Sequence, residues 1–151
     1  MESHQRVILA LELMELINTG NAHLTFDDAI SELPADLRSV SPDKLPYSIW
    51  QLIDHMRITI EDIVEFCMSS NHQSPKWPEE YWTQAPEKVD DITWNNTINQ
   101  IKGDTNRFFD LLKDPKNDLL FPFPHGKDQN LLRQAMLIAD HNSYHIGQIV
   151  L

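Results

Sequence analysis

The chain has 151 residues, 41% of them hydrophobic and 23% charged, and its 23 acidic and 12 basic residues give a formal net charge of −11. This length and composition are those of a single soluble domain with one core, and they argue against a disordered or membrane-embedded chain. A surface this negative repels phosphate backbones, so nucleic acid is excluded as an expected partner.

The first predicted helix runs from Ser3 to Thr19, and Gly20 is suited to ending it. Its apolar positions recur at helical spacing, on Val7, Leu9, Ala10, Leu13, Met14 and Ile17. Glu12 and Glu15 interrupt the apolar run, and no basic segment precedes it. The stretch therefore predicts neither a signal peptide nor a membrane span, and the expected location is the cytoplasm.

Short helices are predicted in the connector that follows, and a second long helix after it. Thr25 and Asp28 form a capping pattern, which predicts one short helix before Pro34 and room for another beyond it. The long helix begins at its cap, Ser48, and continues to about Ser69. Its main stripe consists of Ile49, Leu52, Ile53, Met56, Ile60, Ile63, Val64 and Cys67, with Ile58 and Phe66 adding apolar surface outside it.

Residues 71–92 carry three prolines and three large aromatic residues without a helical period. Trp77, Tyr81 and Trp82 need partners to pack against, so this segment predicts a long ordered loop rather than a linker. A second proline-rich turn, LLFPFPHGKD, covers residues 119–128.

Two more long helices are predicted around that turn. The third runs from about Thr93 to Lys113, and the fourth from near Asp128 to the end of the chain. The fourth helix reaches Leu151 without a cap, so we expect the natural chain to extend further. The sequence shows no strand-like alternation and no internal repeat. The expected fold is all-α, a four-helix bundle with long connectors and short extra helices, formed by residues 1–151 as one domain.

Two histidines, His141 and His145, stand one helical turn apart in the fourth helix. They lie on or beside its predicted inward stripe, which consists of Leu131, Leu132, Ala135, Ile138, Ala139, Ile146, Ile149 and Val150. Two imidazoles at this spacing can bind one metal ion through one ring nitrogen each. The alternative is a pair of partly exposed histidines bonded to neighbouring groups, and the pair alone does not decide between the two.

The pair differs from two known metal motifs. Asn142 follows His141 where a zinc metalloprotease carries its glutamate base, and no histidine here follows a glutamate by three positions as in di-iron bundles. A third ligand has to come from another helix, and His55, in the middle of the second long helix, is the candidate. Its alternative role is a boundary histidine bonded to a polar neighbour. His23 and His125, in connectors, can line a pocket, although a structural or solvated role is the simpler expectation.

The last helix resembles that of a known family. Its sequence, LLRQAMLIA followed by DHNSYHIGQIV, resembles the last-helix signature of the DinB-like (YfiT-like) superfamily of metal-dependent enzymes. The segment LPYSIWQLIDHMRITIEDIVEF resembles the second helix of that family, which carries the family's first metal histidine. The segments WPEEYW and LLFPFPHG resemble connectors of one branch of the same family. The resemblance therefore extends from about Asn21 to the end of the chain.

That resemblance implies a four-helix bundle holding one divalent ion, nickel or zinc, through three histidines, here His55, His141 and His145. Members whose activity is understood resemble thiol-S-transferases that use low-molecular-weight thiols such as bacillithiol or mycothiol, and others are described as hydrolases. A small-molecule substrate is implied in both cases. Three neutral imidazoles leave a coordination position open, where an ion can activate water or a thiol.

Four residues are candidates for contacting the ligand imidazoles, because a metal-bound imidazole usually donates its other N–H to an oxygen. They are Asp54, Asp140, Tyr144 and Gln148. A helical residue next to a ligand points well away from it, so Asp54 and Asp140 are expected to serve neighbouring helices or to be solvated acids.

Two classes of function remain open at this point. The first is a metal-dependent thiol-S-transferase or hydrolase, which rests on the three histidines. The second is a non-enzymatic oligomeric interaction or stress-response bundle that retains a vestigial metal site, and the lack of an obvious general base beside the histidines favours it. The aromatic connectors can form the face of a homodimer in either case.

Overall fold

The computed structural model describes residues 3–19, 22–84 and 86–151, and in these ranges the secondary structure is helical without any strand. The helices are α1 (Ser3–Thr19), α2 (Phe26–Ile30), α3 (Ile49–Met68), α4 (Asp91–Lys113) and α5 (Leu131–Val150), with a 3-10 turn at Ala35–Leu37. The all-α prediction is confirmed, and so are both short helices. None of the described helices is long and apolar enough to cross a membrane.

Capping boxes begin two of these helices. The Thr25 side chain accepts a hydrogen bond from the Asp28 N–H, and the Asp28 side chain accepts from the Thr25 N–H. Ser48 and Gln51 form the same reciprocal pair in front of α3. Each box satisfies N–H groups that have no partner inside the helix, which is why the predicted caps hold.

The fourth long helix begins three residues later than predicted. Asp128 has a φ of 94°, which is outside the helical region, so the chain cannot enter the helix there. The helix begins instead at Leu131, behind Asn130, whose side chain accepts from the Arg133 N–H at 2.9 Å. Gly20, predicted to end the first helix, lies outside the described residues.

Side-chain bonds define both ends of α4. Asp90 accepts from the Thr93 N–H at 2.7 Å, so the helix starts two residues earlier than predicted. At the other end, Arg6 of α1 donates to the carbonyl oxygen of Leu112, in the last turn of α4, and to those of Asp114 and Asn117, which follow that turn. This guanidinium satisfies carbonyls that the helix leaves free, and it fixes α1 against the end of α4.

α3 packs against α4 and α5, and α1 packs against the same two helices. One group of buried side chains joins α1 to the second half of α3 and α4 and the first half of α5, around Val64, Phe108 and Leu112. A second group joins the first half of α3 and α4 to the second half of α5, around Ile53 and Met56. His55, His141 and His145 belong to the helix segments of this second group.

α1 is incompletely covered. It buries only Ala10 and Leu13 among its described residues, whereas Val7, Ile8, Leu11 and Leu16 expose 40–56% of their surface. Two residues predicted to face inward are therefore exposed, Val7 here and Val150 in the last turn of α5. Both lie on helix surfaces that no other described helix covers.

Candidate metal centre

α3 and α5 bring three histidines together. His55 and His145 are buried and His141 is half-buried, and one ring nitrogen of each lies within 4.8 Å of the others. The Nε2 atoms of His55 and His141 are 3.1 Å apart. Two nitrogens bound about 2.05 Å from a tetrahedral ion are separated by roughly 3.3 Å, so this pair already has the spacing of two ligands to one ion. The residues present therefore fit a divalent metal.

Hydrogen bonds on the outer side orient two of the rings. His55 Nδ1 lies 3.0 Å from the Tyr81 carbonyl oxygen, and His145 Nδ1 lies 2.7 Å from Gln148 Oε1. Both oxygens can only accept, so each ring carries its proton on Nδ1 and keeps the Nε2 lone pair for a metal. In that arrangement His141 Nε2 donates to His55 Nε2, and metal binding displaces this proton.

Burial lowers the pKa of all three imidazoles. The pKa of His141 falls to about 3 because of burial first, and then because of the neighbouring His145 and His55. Burial likewise lowers the pKa of His55 and His145, although bonds to Tyr81 and Gln148 oppose the shift. The neutral imidazole is the charge state that binds a metal, and burial favours that state at all three rings.

The aromatic loop (residues 69–84) forms one wall of the site. Trp82 stacks on His55 with ring centroids 3.9 Å apart and planes 7° apart, and Tyr47 stacks on the other face of Trp82 at 3.8 Å and 9°. The Thr83 hydroxyl donates to Asp54 Oδ2 at 2.6 Å and anchors the loop to α3. The loop thus holds one ligand ring by stacking and, through the Tyr81 carbonyl, by a hydrogen bond.

A cleft of about 430 Å³ lies beside the histidines. Its other lining residues come from α3, α5 and the aromatic loop, and they are Thr59, Asp62, Ile63, Trp77, Tyr81, Trp82, Leu137 and Tyr144. Trp77 and Tyr144 are each 65% exposed, which places them at the open side. Three histidines close enough to hold one ion thus face an open cleft.

The four residues predicted around the ligands divide into two pairs. Gln148 accepts from His145, and the Tyr144 ring lies 5.0 Å from that of His145. Asp54 is buried but faces the aromatic loop and Arg57, whose Nε donates to it at 2.7 Å. Asp140 is exposed.

His23 and His125 do not line the cleft. His23 Nε2 lies 2.9 Å from the Ser143 hydroxyl and joins the α1–α2 connector to α5. His125 Nε2 donates to the Phe66 carbonyl at 2.8 Å, and its ring packs against those of Phe66 and Phe123. Both histidines attach connectors to helices.

Sequence reasoning missed Asp62 and the part played by the Tyr81 backbone. Asp62 accepts from the Tyr81 hydroxyl and from His72 Nε2, each at 2.6 Å, and it lines the cleft. One signal pointed to Asp62, since it follows His55 by seven residues and so shares its helix face. The Tyr81 carbonyl has no such signal, because every residue carries a carbonyl.

No family model, curated protein or solved structure matches this chain. What the protein does has to be inferred from its own residues.

Proposed function

We propose that this protein is a cytoplasmic metal-dependent enzyme of the DinB-like type, a four-helix bundle of α1, α3, α4 and α5 that binds one nickel or zinc ion through His55, His141 and His145. The observation that carries the proposal is the convergence of three ring nitrogens beside an open cleft. The resemblance of the α3 and α5 sequences to that superfamily supports the same ligand set.

The reaction that we propose is thiol transfer to a small molecule, or hydrolysis of one. When bound, the ion supplies Lewis acidity at an open position. The chain's own residues orient the ligands: the Tyr81 carbonyl holds His55, Gln148 holds His145, and Trp82 shields one face of His55 from water. Thiol transfer is the better supported of the two reactions. Asp62 is the one carboxylate in the described lining, and it lies two turns from His55, too far to act as a general base beside the ion. A thiol that binds the ion needs no such base.

Elemental analysis of protein purified without an affinity tag tests this proposal. Wild type and His125→Ala, which alters a histidine outside the cleft, are expected to hold roughly one divalent ion per chain, and His55→Ala, His141→Ala and His145→Ala to lose it. Circular dichroism checks that each variant is folded. Unchanged metal content in His55→Ala would remove that residue from the ligand set, and a wild type that binds neither nickel nor zinc contradicts the proposal.

A second candidate is a non-enzymatic bundle that acts through oligomeric contacts and keeps a vestigial metal site. The exposed apolar residues of α1 favour it, since an uncovered apolar helix face is typical of protein contact surfaces. This candidate includes a homodimer, and light scattering gives the mass in solution. Metal-dependent turnover of a thiol with an electrophile separates the enzyme from the interaction module.

A further inference from the structure

The cleft beside the histidines holds one carboxylate, that of Asp62, whose partners are the Tyr81 hydroxyl and His72 Nε2. Its described lining includes Asp62 and no lysine or arginine. The nearest guanidinium along α3, that of Arg57, already bonds Asp54 and Glu61. The formal net charge of the whole chain, −11, has the same sign as the Asp62 carboxylate. An anionic group placed beside Asp62 is therefore repelled by this carboxylate and by the overall field, whereas an ion bound at the histidines attracts an anion to the inner end of the cleft.

Asp62 lies at the far end of the cleft from the ligand nitrogens. Seven residues separate it from His55, which places it about 10 Å farther along α3. Bonds from the Tyr81 hydroxyl and His72 hold its two oxygens in place, and each oxygen keeps a lone pair for another donor. A small molecule that spans the cleft therefore has one end at the histidines and the other end at Asp62.

Thr59 lies between the two, one turn after His55 on the same helix face. Its hydroxyl oxygen is buried and has no hydrogen-bond partner among the described residues, although the residue lines the cleft. This oxygen has almost no exposed surface, so a molecule in the cleft does not reach it without a rotation of the Thr59 side chain. Across the cleft, Leu137 and the exposed rings of Trp77 and Tyr144 offer apolar and aromatic surface.

We infer that the end of the cleft around Asp62 selects a small molecule that has an apolar body and a neutral or cationic polar end, and that it discriminates against an anionic group at that end. The inference rests on the proposed metal site, because the three histidines define the inner end of the cleft. Aromatic faces at the mouth add attraction for a cation and none for an anion. If the substrate is a thiol, an amine-bearing thiol suits this cleft and a carboxylate-bearing one does not.

Three thiols of matched length test this selectivity on the cobalt(II)-substituted protein: 6-aminohexane-1-thiol, 6-mercapto-1-hexanol and 6-mercaptohexanoate. The amine, hydroxyl and carboxylate groups are all remote from sulfur, so the three thiols differ mainly at the end that reaches Asp62. Sulfur binding is followed through the visible absorption of cobalt, which is a binding measurement and needs no turnover. The amine is expected to bind at least about tenfold more tightly than the carboxylate, with the alcohol between them.

Two matched variants locate the effect. Asp62→Asn, which still accepts from the Tyr81 hydroxyl, is expected to weaken binding of the amine, strengthen binding of the carboxylate and leave the alcohol within about twofold. Glu61→Gln removes the same charge from an exposed neighbour, and solvent screening keeps all three affinities within about twofold.

Equal affinity of the wild type for amine and carboxylate, or an Asp62→Asn variant that changes neither, overturns the inference and leaves the metal site standing. A wild type that gives no cobalt absorption overturns the metal site, and the inference with it.

Discussion

His145 and Gln148 form a unit on the face of a single helix. They are three residues apart on α5, and the imidazole Nδ1 donates to the amide oxygen at 2.7 Å. The ligand and the group that orients it therefore keep their relative position when the ends of the helix fluctuate. His55 is oriented differently, by a carbonyl of the aromatic loop, so its position depends on how that loop is held.

Replacing Gln148 tests the value of this bond. Gln148→Leu removes the acceptor and leaves the His145 ring free to turn, so metal affinity is expected to fall by about 10–100-fold. Competition with a chromophoric chelator measures the affinity. Gln148→Glu keeps an oxygen acceptor at the same place and is expected to remain close to wild type. Equal loss in both variants would attribute the effect to disturbed packing instead.

At the scale of elements, the aromatic loop joins the site to the fold. Its hydrogen bonds to α3 include those of the Thr83 hydroxyl with Asp54, of the Tyr81 hydroxyl with Asp62, and of the Tyr81 carbonyl with His55. Asp54 is buried, so its carboxylate needs both the Thr83 hydroxyl and the Arg57 guanidinium to balance its loss of hydration.

The same substitution at two threonines tests how firmly the loop is held. Thr83→Val deprives the buried Asp54 carboxylate of a donor, and the free energy of unfolding is expected to fall by about 1.5–3 kcal/mol. Thr59→Val removes a hydroxyl that is buried without a partner, and stability is expected to stay within about 0.5 kcal/mol of wild type or to rise. Urea denaturation followed by circular dichroism measures both. Similar losses in the two variants would contradict the account of the Thr83 bond.

Helix boundaries were predictable where their causes are local. The Ser48–Gln51 box involves residues three apart, and the pairing of His141 with His145 follows from the helical period alone. Asp128 was misjudged as part of a helix because its positive φ depends on how the preceding turn closes, which composition does not show. His55 was named as the candidate third ligand from its position in the second long helix, with a boundary histidine as the alternative, and the family resemblance favoured the ligand role, since no local rule links α3 to α5.

The contribution of the aromatic loop was not predictable beyond its being ordered. The partners of Trp82, Tyr47 and His55, lie 35 and 27 residues before it in the chain, and stacking has no characteristic spacing. Composition showed that large aromatic side chains needed partners. Which partners they found depends on the path of the loop, and that path depends on bonds made by carbonyls and buried acids.

At the scale of the whole molecule, the proposed metal site joins two helices that together contact every other long helix. α3 contacts α4 and α5, and α5 also contacts α1 and α2. An ion held between α3 and α5 binds the folded chain and not the unfolded one, so it stabilises the entire fold by mass action. Its effect should therefore be measurable far from the histidines.

The single cysteine, Cys67, reports on this coupling. It lies twelve residues after His55 on α3, and burial raises the pKa of its thiol to about 12. About a thousandfold less thiolate is then present than for a pKa of 9, so iodoacetamide is expected to label Cys67 chiefly when the chain unfolds.

Saturating nickel or zinc is expected to slow this labelling in the wild type and to leave His141→Ala unchanged. Mass spectrometry at graded urea concentrations measures the rate, and the unfolded chain serves as the reference for full reactivity. Labelling without denaturant at the rate of the unfolded chain would show that Cys67 is accessible in the native state, contrary to its raised pKa.

The stack of Tyr47, Trp82 and His55 gives the protein an optical signal of its own. An indole in face contact with a ligand imidazole lies close to whatever ion that imidazole holds. Nickel(II), with unpaired d electrons, quenches the emission of an adjacent indole, whereas zinc(II), with a filled d shell, does not. The part of the intrinsic fluorescence that comes from Trp82, one of the four tryptophans of the chain, is therefore expected to fall with nickel and not with zinc, so that the two candidate ions can be distinguished without any added dye.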